Sequence, residues 1–63
     1  MKIKVFETDT KEVIFKGESN QFLIDNENDE FLVNIIESLN NEKIDDVTIG
    51  GGASPAFTIS KKI

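Results

Sequence analysis

Between Glu27 and Asn41 the apolar residues Phe31, Leu32, Ile35, Ile36 and Leu39 fall at i, i+1, i+4, i+5 and i+8. That spacing lines one face of an α-helix at 3.6 residues per turn. Asn34, Glu37, Ser38 and Asn41 take the opposite side. Asn26 or Asn28 is placed to cap the first free amides, and Glu27, Asp29 and Glu30 set negative charge at the positive end of the dipole. Asn40-Asn41 suits the exit, because Asn tolerates the left-handed conformation common just past a helix.

The other apolar segments are short and alternate as strands do. Lys2 to Glu7 and Glu12 to Lys16 predict a hairpin turning at Thr8-Asp9-Thr10. A three-residue loop there sets Val5 opposite Val13 and Glu7 opposite Lys11. Gly17 ends the second strand, and Gln21 to Ile24 predicts a short third one. Val47-Thr48-Ile49 and Phe57-Thr58-Ile59 predict a second hairpin, with Gly50, Gly51, Gly52, Ala53, Ser54 and Pro55 as its loop. Pro55 has no N–H for a ladder and fits a loop end. The expected order is β-β-β-α-β-β in a single α+β domain covering residues 1–63, a mainly antiparallel sheet with one helix packed on one face.

Parity divides the strand residues. Ile3, Val5, Val13, Phe15, Phe22, Ile24, Val47, Ile49, Phe57 and Ile59 are expected under the helix. Phe6, Ile14 and Leu23 then point the other way, where a sheet this small has nothing of its own to cover them. An exposed apolar patch marks an interaction site. The expectation is a homodimer packing sheet on sheet, or a docking surface for another protein. A bulge, or shielding of Phe6 by the Lys4 and Lys16 stems, is the competing account.

Composition narrows the chemistry. A chain of 63 residues without Cys has no disulfide or thiolate site, and it buries only about 60% of its unfolded surface, so association is its remaining route to a larger core. Without His, the commonest general base and metal ligand is missing. Ser54 has no His partner, the adjacent Asp45 and Asp46 diverge in an extended chain, and no cofactor motif is present, so a non-enzymatic role without cofactor or metal is expected. Asp25-Asn26-Glu27-Asn28-Asp29 resembles the start of a calcium loop, yet Glu30 stands where that loop needs Gly and Ile36 where it needs a bidentate Glu.

The net charge of −5 disfavours direct binding to nucleic acid or an anionic membrane. No run is long enough to span a membrane and the N-terminus lacks a signal-like apolar segment, which points to the cytoplasm of a producing or infected cell. Seven Lys with no Arg, nine Ile and six Asn suit the coding style of an AT-rich genome. Together these lead to an expected function: a small acidic inhibitor that blocks a partner protein, of the kind a phage or mobile element carries against a host defence or nucleic-acid enzyme. The alternatives are a protein that sequesters a phosphate or nucleotide in the Gly50–Pro55 loop, a mimic of nucleic acid, and a subunit of a larger assembly.

Overall fold

The computed structural model describes residues 1–41, 44–51 and 54–62. They form β1 (Lys2–Glu7), β2 (Val13–Glu18), α1 (Ser19–Asp25), α2 (Glu30–Asn41), β3 (Asp46–Gly51) and β4 (Ser54–Ser60). The strands make one open antiparallel sheet in the order β2-β1-β4-β3. Both helices lie on one face of it, so the α+β class holds, with two helices rather than one. The core joins Ile3, Val5 and Ile59 of the sheet to Phe22 of α1 and Ile35, Ile36 and Leu39 of α2.

The expected third strand, Gln21 to Ile24, is instead the body of α1. An apolar run of three fits either period, and here the helical one wins because it buries Ser19 and Phe22 one turn apart. Phe22 reaches Phe15 of β2 with ring centroids 5.3 Å apart. Gln21 Nε2 donates to Asp25 Oδ1 at 2.8 Å across one turn. Ile24, expected in the core, is 61% exposed.

Asn26-Glu27-Asn28 closes α1 rather than opening the next helix. The amide of Asn28 donates to Leu23 O at 2.7 Å and that of Glu27 to Ile24 O at 3.1 Å, the pair of bonds that defines a Schellman end. Glu27 occupies the left-handed position, with φ 59°. The cap of α2 is therefore Asp29, not Asn26 or Asn28: Asp29 Oδ1 accepts from the amide of Phe31 at 2.9 Å. At the far end Lys61 Nζ donates to Leu39 O at 2.8 Å, which satisfies a terminal carbonyl and places a cation at the negative end of the dipole.

The first hairpin closes through four residues, Thr8 to Lys11, between the bonds Glu7 N–H to Glu12 O and Lys11 N–H to Glu7 O. Val5 pairs with Phe15, and Phe6 with Val13, so Ile14 is an extra residue in a bulge. This corrects the expected register. Val13 leaves the helix-covered face and is 50% exposed.

In the second hairpin the ladder runs further than expected, to the pair Gly51↔Ser54. At the register shift Gly50 stands against two residues of β4 and takes φ 95°, a conformation that a side chain would strain. Pro55 lies in β4 beyond the last β1 pair, Glu7↔Phe57, where the strand is paired on one side only and a missing N–H is tolerated.

Candidate interaction surface

With α1 against β2 and α2 against β3, the second face of the sheet carries no helix. Its rows follow from the register. Lys16, Lys4, Ser60 and Asp46 form one row across the four strands, and Val13, Phe6, Thr58 and Thr48 form the next. The Thr58 hydroxyl lies 3.0 Å from those of both Thr8 and Thr48. The middle of this face is thus polar and internally satisfied, and its apolar part is displaced toward β1 and β2.

Phe6 sits in that apolar part, half-buried. The ammonium groups of Lys4 and Lys11 lie 5.4 and 5.5 Å from its ring centroid, within cation–π range. Lys11, rather than Lys16, is the second cation on this ring. Val13 opposite it and Ile14 in the bulge are 50% and 56% exposed. Leu23 does not join them, because its place on α1 packs it against the core. Of the three residues expected to form one patch, Phe6 lies on the open face with Val13 opposite it, and Ile14 is exposed in the adjoining bulge.

The loop residues Gly50, Gly51, Ser54 and Pro55 belong to the ends of β3 and β4, while Gly52 and Ala53 lie outside the described residues. This end of the sheet also carries the Thr8–Lys11 loop, since Thr8 N–H donates to Ala56 O at 2.9 Å. Between α2 and β3 there is a separate open groove of about 380 Å³, lined by Phe31, Asn34, Ile35, Ser38, Ile44 and Val47. Phe31 at its edge is 60% exposed. It is the one member of the α2 stripe that points beyond the sheet.

Charge is divided between the two layers. Residues 19–41, the helical layer, hold Asp25, Glu27, Asp29, Glu30 and Glu37 and no Lys. The remaining chain has seven Lys against seven carboxylates, so the whole net charge of −5 resides on residues 19–41, the helices and the turn between them. On the open face Lys2 stands opposite Glu18, and Lys4 stands opposite Lys16. The ion pairs among the described residues are the Met1 amino group with Glu18 at 3.4 Å and Lys62 with Asp45 at 3.2 Å. Neither involves Lys4, Lys11 or Lys16. Among the described residues, no set of three or more carboxylates is gathered as metal ligands would be, and no helix is long and apolar enough to cross a membrane. Neither a protein-family model, nor a curated protein, nor a solved structure matches this chain.

Proposed function

We propose that this protein is a non-enzymatic protein-binding module that inhibits its partner by covering part of the partner's surface. The observation that carries the reading is the pair Phe6 and Val13 on the helix-free face with Ile14 in the bulge beside them, Val13 and Ile14 being half or more exposed. A chain with so small a core gains by burying such side chains, and keeping them in water lowers solubility, so their retention fits a contact made with another molecule. The bulge at Ile14 supports the same reading. Bulges re-aim side chains and keep edge strands such as β2 from pairing indiscriminately.

The test is affinity capture with the tagged chain from a lysate of its source cells, run beside a Val13→Thr/Ile14→Thr variant. Both positions are exposed and Thr is at home in strands, so the variant keeps the fold, which circular dichroism verifies. The proposal expects a defined protein to co-purify with the native chain and to be lost from the variant. Equal recovery with both chains would remove this face from the function.

A further inference from the structure

We infer that the open face selects an acidic, extended segment of its partner, with Lys4, Lys11 and Lys16 receiving carboxylates and Val13 receiving an apolar side chain beside them. The inference rests on the protein-binding reading above and adds the chemistry of the partner.

Its first support is a pairing that folding alone disfavours. Lys4 and Lys16 are directly opposite in adjacent strands, an arrangement that costs stability. The chain has 12 carboxylates, yet none forms an ion pair with Lys4, Lys11 or Lys16 among the described residues. The carboxylates nearest in the rows are Glu18, which is opposite Lys2 and bonded to the Met1 amino group, and Asp46, beyond Ser60 at the far edge. Lys4 and Lys11 meet the Phe6 ring, but no carboxylate among the described residues offsets the Lys4–Lys16 repulsion, and local rules broken without full compensation concentrate at functional sites.

The second support is spacing. Lys4 and Phe6 stand two residues apart on one strand face, and Lys11 reaches the same ring. Residues two apart in an extended chain repeat every ~6.6 Å, so a partner strand crossing β1 and β2 can set a carboxylate by the ammonium groups around Phe6 and an apolar side chain on Val13. A second copy of this chain fits less well. Stacking two open faces about a two-fold axis at Phe6 brings the three ammonium groups of each copy together. A single strand of nucleic acid shares the anionic chemistry, but the surface favours a peptide. The Phe6 ring already bears two ammonium groups where a base would stack, and the sheet offers Val13 and Ile14 for aliphatic side chains.

The experiment is a titration followed by amide NMR. A synthetic Ser-Asp-Thr-Leu-Thr-Asp-Ser peptide is added to the full chain up to about 1 mM, where weak contacts register. The same peptide with Lys for Asp, and oligothymidylate, serve as comparisons. The inference expects shifts confined to residues around Lys4, Phe6, Lys11, Val13 and Lys16, no shifts with the Lys peptide, and weaker binding of oligothymidylate. Lys16→Glu, an exposed change, should weaken the Asp peptide about tenfold. Absence of shifts, shifts in the α2–β3 groove, tighter binding of oligothymidylate, or a dimer by light scattering that holds this face would each overturn it. Should lysate capture depend on Val13 and Ile14 but be indifferent to Lys16→Glu, the binding module stands and the acidic partner falls.

Discussion

Replacing Lys16 by Glu should make the protein more stable while it removes function. Lys16 faces Lys4 across the β1–β2 ladder, where Cβ atoms stand about 5 Å apart. Two unit charges about 5.5 Å apart in water repel by about 0.75 kcal/mol, so reversing one of them changes the pair by about 1.5 kcal/mol before screening. With a Debye length of ~8 Å at physiological ionic strength the change falls to about 0.7 kcal/mol, within the range measured for exposed pairs. For a domain of this size that corresponds to a rise in Tm of roughly 3–6 °C. The substitution takes the net charge from −5 to −7, since one positive charge is lost and one negative gained; the added general repulsion trims the gain slightly. Thermal unfolding followed by circular dichroism at low and high salt measures it, with Lys16→Gln expected to give about half the effect. At 1 M salt, where the Debye length is ~3 Å, the gain should vanish. A gain that survives high salt would assign the effect to strand propensity, and no gain at low salt would refute the argument that this pair is a local cost.

Three further substitutions test the fold that holds the site. Glu27→Gly relieves a left-handed side chain at the closing turn of α1 and should raise stability by about 0.5–1 kcal/mol after the added unfolded-state freedom of Gly; urea unfolding reads the gain, and Glu27→Ala should show none. Asp29→Ala removes the side-chain cap of α2 and should cost about 1 kcal/mol in the same assay. Leu39 is fully buried, and Leu39→Ala should cost about 2–5 kcal/mol, against a total of roughly 3–9 kcal/mol for a chain this long; a large unfolded fraction should appear in the far-ultraviolet spectrum at 25 °C.

What the sequence made legible follows from how many residues carried each pattern. The α2 stripe spans two turns, and the β3/β4 alternation is interrupted only by turn residues, so both are readable. The segment around Phe22, Leu23 and Ile24 is too short to separate the two periods. The deciding contact, Phe22 with Phe15, is a tertiary one with the strand just before it, and a periodicity count within the segment does not register it. The register of β2 failed for a related reason. Val13-Ile14-Phe15 is apolar at every position, and a loop of three or of four residues gives opposite parity. The four-residue loop, with Lys11 at φ 64°, moved Val13 out and left Ile14 unpaired. Phe6 was placed correctly because Ile3 and Val5 fix the parity of β1. The lysine cluster was missed since it is assembled by register, from three positions separated along the chain.

The net charge of −5 disfavours generic binding to nucleic acid or an anionic membrane, but its uneven distribution leaves room for a local contact with an acidic segment. The five carboxylates of residues 19–41 belong to the layer behind the open face, and the shortest extent of the molecule, 19 Å, sets the scale of their distance from a bound segment. For a probe of charge −2, their unscreened repulsion at that distance is about 2 kcal/mol in water, comparable to two ammonium–carboxylate contacts at about 4 Å. Salt separates the two terms by range. At 0.01 M the Debye length of ~30 Å leaves about half of the helical repulsion, whereas at 0.15 M the length of ~8 Å removes nine-tenths of it and keeps roughly 60% of the local attraction. At 1 M the local term itself falls to about a quarter. Affinity for the Asp peptide should therefore pass through a maximum near ~0.1 M salt, about twofold above its values at 0.01 M and 1 M. Neutralising Glu30 and Glu37 together should flatten the low-salt limb and leave the high-salt limb in place. An affinity that simply declines from the lowest salt upward would mean that the helical carboxylates play no part, and one that rises throughout would mean that the lysines do not hold the peptide.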